Sequence, residues 1–328
     1  MYQFCTYFDR NYLVRGLTLF RSLTRHAEPF VLWVLCFDDF THDVLSRLGL
    51  PNLRPVRLQD FERGDEALLA AKKNRSQVEY YFTCTPSWPL YILNHYQDVD
   101  LITYVDADLF FYSSPAPIYE ELGEQSALII GHRFPEQLRH REKFGIYNVG
   151  LLCFRDDPRG RECLQWWRDR CLEWCYDRVE DGRFADQKYL DDWPARFQGV
   201  VVLQHKGAGV APWNWMNYAI SIQGNAAAVD AQPLIFYHFH GLKMWTPWLL
   251  DLGLSAYGRM PSGLRRRLYA PYVRALKETC EWLRAAAPGA DPGYVILGSG
   301  RDGIKTWFRL VRALFKGQVL LNMGRLAF

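Results

Sequence analysis

The chain has 328 residues, of which 49% are apolar and 23% are charged, and its net charge is +3. These fractions predict a globular protein with a substantial core, built as one large α/β domain or as one domain with an appendage. No stretch approaches the ~18–20 consecutive apolar residues of a membrane-spanning helix, and the first residues lack a secretory pattern. The eight scattered cysteines predict reduced thiols in a cytoplasm rather than a disulfide framework.

The net charge is unevenly distributed along the chain. Residues Arg259–Phe328 contain thirteen Lys and Arg against four Asp and Glu, a balance of +9, which leaves −6 on Met1–Gly258. A basic tail on an acidic body indicates an anionic surface as a partner. No nucleic-acid recognition motif accompanies the charge, so we expect no nucleic-acid partner.

Continuous apolar runs alternate with helical spacings through the first half of the chain. Runs that are apolar on both faces are typical of a parallel sheet covered by helices on each side, which predicts a doubly wound, Rossmann-like α/β arrangement. In chain order, the predicted elements are strand Phe4–Phe8, helix Leu13–Leu23, strand Phe30–Phe37, a helix capped by Thr41 and running through Leu48, strand Val56–Leu58, helix Pro86–Tyr96, strands Leu101–Val105, Ala127–Gly131 and Val149–Phe154, and a helix from about Gly160 to Tyr176.

The character of the sequence changes near residue 250. Pro233–Phe239 is the last predicted strand, and Leu249–Phe328 reads as helical, basic and interrupted by Gly and Pro. We therefore predict a main α/β domain over residues 1–250 and a basic helical extension over residues 251–328.

An aspartate pair follows directly on the predicted strand Leu101–Val105. In an extended chain Asp106 and Asp108 would point the same way, with α-carbons about 6–7 Å apart. Two carboxylates at the end of a buried strand repel each other and lose solvation unless a cation compensates them. Oxygen ligands suit Mg²⁺ or Mn²⁺, and the ends of such strands are where open α/β sheets bind ligands. The pair therefore predicts a divalent metal site.

Five segments, in this order, resemble the GT-A glycosyltransferases, and most closely family 8, the group of glycogenin and the bacterial lipopolysaccharide galactosyltransferases. The resemblance implies a GT-A fold, a nucleotide-sugar donor, Mn²⁺ or Mg²⁺, and transfer of a hexose to a glycan or lipid-linked acceptor. The segments are Thr6–Tyr12, Tyr104–Asp108, Asn148–Gly150, Phe184–Gln187 and His238–Trp245.

The resemblance also implies a role for each segment on the donor side. Thr6, Tyr7, Asp9 and Tyr12 would receive the uracil and ribose of a UDP-sugar, for which an aromatic face and a carboxylate acceptor are suited. An ordinary turn into a helix accounts equally well for the same residues.

His238 would be the third metal ligand, beside Asp106 and Asp108. His240 alternates with His238 on the predicted strand and competes with it for this role. Gly241 and Lys243 would contact the diphosphate, because glycine allows close approach of the backbone and lysine neutralises the leaving group.

The remaining implied residues belong to the sugar and the reaction centre. Asn148 would form a hydrogen bond with a sugar hydroxyl, and Asp186 and Gln187 would lie near the anomeric carbon as catalytic residues. The alternatives are a strand-capping Asn148 and an Asp186 that only serves the first turn of a helix.

The resemblance is to a divergent branch. Many relatives have a basic residue on the helix before the aspartate pair, but here the nearest bases are Lys72, Lys73 and Arg75, and the usual Lys-Pro-Trp ending is Lys-Met-Trp from Lys243.

Family 8 implies retention of anomeric configuration. An inverting enzyme would instead need an acid on the acceptor side, for which Asp191 and Asp192 are candidates.

Three other functions compete with this one. A haloacid-dehalogenase-type phosphatase places its Asp-x-Asp after its first strand, whereas three strand candidates precede Asp106 here. A nucleotidyltransferase of related fold would have a Gly-rich basic loop after the first strand, which is missing. A non-catalytic protein that only binds sugar nucleotides stays open.

The basic tail contains one clear pattern. Lys305, Arg309, Arg312 and Lys316 fall on one face of a predicted helix over Gly303–Lys316, with Trp, Phe and Leu on the others. Such a helix either lies on an anionic membrane, at its inner face, or packs on its own domain with the bases outward. The sequence contains no signal for an oligomeric state.

Overall fold

The computed structural model describes residues 1–224, 226–246, 249–290, 293–294, 311 and 319–321. Within these ranges the strands are β1 (Tyr2–Phe8), β2 (Phe30–Cys36), β3 (Leu53–Arg57), β4 (Leu101–Val105), β5 (Leu109–Phe111), β6 (Ala127–Gly131), β7 (Tyr147–Arg155), β8 (Val200–Val202), β9 (Ile220–Gln223), β10 (Ala226–Val229), β11 (Gln232–Pro233), β12 (Phe236–His238), β13 (Lys243–Thr246), β14 (Leu249–Asp251) and β15 (Val319–Leu321).

The helices alternate with these strands through the first two thirds of the chain. They are α1 (Leu13–His26), α2 (Asp39–Leu48), α3 (Leu58–Glu62), α4 (Glu66–Lys72), α5 (Gln77–His95), α6 (Ala116–Leu122), α7 (Pro158–Glu173), α8 (Trp193–Arg196) and α9 (Ser262–Ala286), with short 3₁₀ segments at Arg10–Tyr12, Glu136–Phe144, Gln187–Asp192, Trp215–Asn217 and Leu254–Ala256.

Seven strands form a central sheet in the order β3-β2-β1-β4-β7-β6-β8. All neighbours pair in parallel except β7, which runs antiparallel to both β4 and β6. The predicted fold class, a mostly parallel sheet flanked by helices, is therefore confirmed. A separate two-stranded sheet joins β5 to β12, and this small sheet builds part of the candidate site.

Two hydrophobic cores cover the two faces of the sheet. One contains side chains of α1, β5, β12 and α9, such as Leu17, Phe111 and Tyr272. The other contains side chains of α5 and α7, such as Trp88 and Trp167. Strands buried on both faces have continuous apolar sequences, which is why the pattern predicted them well.

Several predicted element boundaries were wrong. Helix α2 is capped by Asp38, whose carboxylate accepts a hydrogen bond from the Thr41 N–H, and not by Thr41. Helix α5 begins at Gln77, nine residues before the predicted start, because Ser76 and Glu79 form a reciprocal capping box. Its two internal prolines, Pro86 and Pro89, masked the helical pattern upstream.

The predictions for the last part of the chain were only partly correct. The predicted strand Pro233–Phe239 is divided between β11 and β12, and the region after Leu249 contains strands β14 and β15 as well as the helix α9. The predicted basic helix over Gly303–Lys316 lies outside the described residues, apart from Val311. Among the described helices, none combines the length and hydropathy needed to cross a bilayer.

Helix α9 packs directly on the first helix and on the strand that leads to His238. Thr279 of α9 lies 3.2 Å from Thr18 of α1, between the two hydroxyl oxygens. Tyr272 is fully buried and stacks on Phe239, with ring centroids 3.9 Å apart. The core thus continues past residue 250, and the proposed boundary there stays a prediction.

Replacing Tyr272 by Ala should lower the free energy of unfolding by roughly 3–5 kcal/mol, because a buried aromatic ring leaves a cavity. Urea denaturation followed by circular dichroism measures the change. Arg274→Ala is the matched control on the exposed face of the same helix, and it should change stability by no more than about 0.5 kcal/mol. Equal effects of the two changes would indicate that α9 is not part of the core.

Candidate active site

The aspartate pair lies in a turn between β4 and β5. The Asp106 N–H donates to the Gly150 carbonyl at 2.9 Å, and the Leu109 N–H closes the turn on the Asp106 carbonyl at 3.1 Å. The extended geometry expected from the sequence was therefore wrong for Asp106–Asp108. Both carboxylates nevertheless face one imidazole, because the small β5–β12 sheet holds it beside the turn.

That imidazole belongs to His238, the last residue of β12, which pairs with Leu109 of β5. Its Nε2 lies 3.0 Å from Asp108 Oδ1 and 3.5 Å from Asp106 Oδ2. One potential ligand atom from each of the three side chains lies within 4.8 Å of the others. His240 lies beyond the end of the strand, with its ring centroid 5.6 Å from that of His238.

The electrostatics of this cluster favour a cation. Burial raises the pKa of Asp106. Burial would also raise the pKa of Asp108, but the neighbouring His238 reverses this effect and lowers that pKa to about 2. Tyr104 donates a hydrogen bond to Asp106 Oδ1 at 2.8 Å and so fixes one oxygen of the pair.

Two carboxylates and an imidazole on one point are a chemically suitable ligand set for Mn²⁺ or Mg²⁺. The three side chains also leave coordination positions open in an octahedral ion, as a site that shares its metal with a substrate requires. The residues therefore fit the predicted divalent metal, without distinguishing between the two ions.

Three adjoining cavities surround the cluster. The Tyr12 cavity, about 400 Å³, is lined by Tyr7, Asp9, Asn11, Tyr12 and Tyr81 together with Asp106, Asp108 and His238. The Asn148 cavity, about 420 Å³, contains His132, Arg141, Asn148, Asp186, Gln187 and Trp213. The Lys243 cavity, about 470 Å³, is lined by His240, Gly241, Lys243, Asp251 and Tyr257.

The cavities share walls and form one cleft. The Tyr12 and Asn148 cavities have Tyr7, Tyr104, Asp106 and His238 in common, and His240 borders all three. The cluster therefore lies where one elongated ligand could contact each part. Gly241 has a φ of 73°, a conformation that glycine adopts without strain.

Asp9 organises the wall of the Tyr12 cavity. Its carboxylate caps the short segment Arg10–Tyr12 by accepting from the Asn11 N–H at 2.9 Å. It also accepts hydrogen bonds from the Asn11 side chain at 3.0 Å and from the Tyr81 hydroxyl at 3.3 Å. The ordinary turn that the sequence left open is present, and it places Asp9 and Tyr12 in the cleft.

Asp186 is buried next to the cluster, and the residue before it has an unusual backbone conformation. The preceding Ala185 has a φ of 46°, which is uncommon for a residue other than glycine. The Trp167 indole donates to the Asp186 carbonyl at 2.8 Å. Burial, opposed by a hydrogen bond from Thr85 and reinforced by the charge of Asp106, raises the pKa of the Asp186 carboxyl to about 7.

Asn148 and Gln187 are held by a network of amide hydrogen bonds. Asn148 Oδ1 accepts from the Gly150 N–H at 2.9 Å, and its Nδ2 donates to His132 Nε2 at 3.3 Å and to Gln187 Oε1 at 3.5 Å. Gln187 Nε2 donates to the Phe144 carbonyl at 2.9 Å. Burial lowers the pKa of His132 to about 3, so its ring is neutral and accepts this hydrogen bond.

Not every predicted residue reaches the cleft. Thr6 is fully buried in β1 and lines none of the three cavities, so its role in donor binding stays a prediction. Of the bases upstream of the aspartate pair, Lys72 pairs with Glu62 at 2.6 Å, Arg75 stacks on Tyr176, and Lys73 is exposed away from these cavities.

The sequence analysis missed several residues of the site. Tyr104, Thr85, His132, Arg141 and Trp213 all lie at the cleft or bond to residues that line it. Tyr104 could have been found, because it belongs to the segment Tyr104–Asp108 and lies two residues before Asp106. The others come from α5 and from irregular segments, which have no periodicity to reveal them.

Comparison with models of known protein families gives no match. The chain is 30% identical over 298 residues to the uncharacterized protein YfnD of Bacillus subtilis (strain 168), which covers 90% of this chain and 94% of YfnD. It is 34% identical over 249 residues to the uncharacterized protein YfnF of the same strain, covering 74% of this chain and 82% of YfnF.

The fold is similar to that of the galactosyltransferase LgtC in complex with donor and acceptor sugar analogues, with a TM-score of 0.52 and 17% identity over 81% of this chain and 99% of LgtC. An active-site mutant of LgtC, with glutamate in place of glutamine, gives a TM-score of 0.51, 16% identity and coverage of 80% and 99%. The likeness confirms the predicted GT-A fold.

Gly150 should be essential for the cluster, because no side chain fits there. A β-carbon at this position would lie 2.5 Å from Asn148 Oδ1 and 2.9 Å from His238 Nδ1. Gly150→Ala should therefore weaken Mn²⁺ binding roughly tenfold or more by displacing His238, as measured by isothermal titration calorimetry. Gly131→Ala on the neighbouring β6 is the control, since its nearest new contact is 3.5 Å. Unchanged affinity in Gly150→Ala would contradict the expectation that a side chain at this position displaces His238.

Proposed function

Because the chain belongs to the same family as YfnD and YfnF and has the GT-A fold, we propose that it is a metal-dependent glycosyltransferase. It transfers a hexose from a nucleotide diphosphate sugar, preferably a UDP-sugar, to a glycan or glycolipid acceptor. One observation carries the proposal: Asp106, Asp108 and His238 converge at the junction of the Tyr12 and Asn148 cavities. There they would hold a divalent ion, which supplies positive charge for the departing nucleotide diphosphate.

In this proposal each cavity takes one part of the donor. The base and ribose occupy the Tyr12 cavity, where Tyr12 offers an aromatic face and Asp9 accepts donors from the ligand. The diphosphate lies against Gly241 and Lys243 in the Lys243 cavity. The hexose enters the Asn148 cavity. The similar fold of LgtC holds donor and acceptor sugar analogues, which supports this kind of substrate pair.

The chemistry at the hexose depends on residues that the network holds in place. The Gln187 side chain faces Asn148 and is anchored to the Phe144 carbonyl, so it can contact the sugar without reorganising. The Asp186 carboxylate, once ionised, stabilises the positive charge that develops at the anomeric carbon. Lys243 neutralises charge on the leaving group.

Retention of anomeric configuration is the outcome we propose. An inverting enzyme needs an acid poised on the acceptor as general base. Asp191 is engaged by Lys188 at 2.6 Å and by the Ile146 N–H at 2.8 Å. Neither Asp191 nor Asp192 lines the Asn148 cavity. The placement of these two acids supports retention.

The acceptor and its location complete the proposal. A glycan, free or linked to a lipid, is the acceptor that we propose, at work in the cytoplasm. The net charge of +9 on Arg259–Phe328 supports peripheral binding to the inner face of an anionic membrane.

Removing either metal carboxylate should abolish transfer. Asp106→Asn and Asp108→Asn should each lower the rate of Mn²⁺-dependent UDP release from a UDP-sugar roughly 100-fold or more, because the charge on the departing diphosphate is no longer balanced. Asp98→Asn, an exposed acid upstream, is the control and should leave the rate unchanged.

EDTA should abolish UDP release by the wild-type chain, and added Mn²⁺ should restore this activity. Near-wild-type turnover in either metal-site variant would refute the proposal, and donor binding without turnover would indicate a non-catalytic protein.

Asp186→Asn should separate function from stability. An unfolded aspartate has a pKa near 3.9, whereas that of Asp186 is about 7 in the fold. The folded state therefore loses stability as pH rises from about 4 to about 7, because it must then hold a buried carboxylate. At pH 8 in EDTA, Asp186→Asn should raise the free energy of unfolding on the order of 2–4 kcal/mol, with little change at pH 4, while transfer is lost. Urea titrations at both pH values test this; a stabilisation that does not depend on pH would contradict it.

A further inference from the structure

The Asn148 cavity is walled on one side by the irregular segment Glu136–Phe144. The segment is tied down at its C-terminal end, where Gln187 Nε2 donates to the Phe144 carbonyl and Lys188 Nζ donates to the Glu142 carbonyl, each at 2.9 Å. Leu138 is buried against Ala211 and Trp213. This wall is therefore fixed to Gln187, which the proposed function assigns to the hexose, and to its neighbour Lys188.

Arg141 projects from this wall with its guanidinium held in place. One Nη2 hydrogen bond goes to the Ala256 carbonyl at 3.0 Å, and the guanidinium carbon lies 4.7 Å from the centre of the Tyr257 ring. No acidic side chain of the described residues pairs with it. Among the residues that line the Asn148 cavity, it is the one lysine or arginine.

An arginine without an anionic partner is unusual at the edge of a cavity. The guanidinium remains charged at every physiological pH, and a partly buried charge is costly unless an opposite charge compensates it. Its planar fork matches a carboxylate or a phosphate, with which it forms paired hydrogen bonds. Arg141 is therefore ready to bind an anion that enters the cavity.

Arg141 is separated from the metal cluster by two aromatic rings. The Tyr257 ring lies 6.0 Å from the Trp213 ring, which lies 5.3 Å from His238. The donor diphosphate, placed at Gly241, Lys243 and the cluster, is already neutralised there. Arg141 lines the Asn148 cavity and not the Lys243 cavity, to which the proposed function assigns the diphosphate, so its anion belongs to a different part of the substrate.

We propose that Arg141 binds a carboxylate or phosphate group on the acceptor, so that the acceptor is an anionic glycan. This inference rests on the proposed function and goes further by naming the acceptor class. The exposed Asp177 lines the same cavity, but its backbone N–H is bonded to Glu79 of α5, away from the segment Glu136–Phe144. Repulsion by Asp177 and attraction by Arg141 together orient the anionic group toward Tyr257.

The test compares acceptor probes that differ in the charge of the group at C6. Methyl glucoside is neutral, methyl glucuronide carries a carboxylate, and glucose 6-phosphate carries a phosphate. Binding of each to the full chain is measured by isothermal titration calorimetry, in the presence of Mn²⁺ and a non-transferable UDP-hexose analogue that fills the hexose site. We expect at least one anionic probe to bind roughly tenfold more tightly than the neutral probe, as a charge-assisted hydrogen bond provides. The stronger of the two anionic probes identifies the group.

Variants then assign the preference to one side chain. Arg141→Gln should remove the preference for the anionic probe, and Arg141→Lys should keep part of it. Arg139→Gln is the matched control: Arg139 lies on the same segment, is exposed and pairs with Glu136 at 3.1 Å. It should keep the full preference. Thermal unfolding of each variant checks that the fold is intact.

Three results would overturn the inference. The anionic and neutral probes could bind equally well, the preference could survive in Arg141→Gln, or that variant could weaken UDP binding while the order of the probes stays unchanged. The last result would assign Arg141 to the donor. If UDP and Mn²⁺ do not bind the wild-type chain at all, the proposed function itself fails, which distinguishes the two failures.

Discussion

The antiparallel pairing of β5 with β12 is the contact on which the candidate site depends. Only three residue pairs form it, ending at His238 beside Leu109. It joins distant parts of the chain, and one more hydrogen bond, from the Phe239 N–H to the Asp108 carbonyl, extends it past the strand end. Without this pairing the imidazole would have no fixed relation to the aspartate pair. Helix α9 packs against this pairing, because its Tyr272 stacks on Phe239, the residue after β12.

Burying several carboxyl groups around the cluster has an electrostatic cost. Burial of Asp106 and Asp186 near each other raises the pKa of both carboxyls. Arg15 offsets part of this cost, since its buried guanidinium helps to lower the pKa of Asp108. Arg15 also donates to the Leu242 carbonyl at 3.1 Å and to the Asn11 carbonyl at 3.2 Å. Arg15 thus joins Asn11, on the wall of the Tyr12 cavity, to the loop that leads to Lys243. A divalent ion bound to the cluster would stabilise this arrangement further.

The parts of the fold that the sequence predicted are those with strong local signals. The strands β4 and β6 were predicted to the residue, because runs buried on both faces have no polar interruption. The landmarks around Asp106 and His238 were found as local motifs, and the structure brings them together. The geometry within a motif was less predictable: a turn, and not an extended strand, carries the aspartate pair, since the Leu109 N–H bonds to the Asp106 carbonyl. Thr85 and Trp213 were missed because their positions depend on tertiary contacts that leave no periodicity.

A physical difference separates the two halves of the cleft. The donor half is built from the ends of the sheet strands and the turns that follow them, at Asp9, Asp106, Asn148 and His238, so its geometry is set by the rigid scaffold. The other half includes the 3₁₀ segment Glu136–Phe144 and several loops, and this segment is fixed to the scaffold by side chains such as Gln187 and Lys188. Irregular segments tolerate substitution and insertion better than sheet strands do. In the proposed enzyme, acceptor choice could therefore change without disturbing the metal cluster, because no strand pairing has to shift when the segment around Arg141 does.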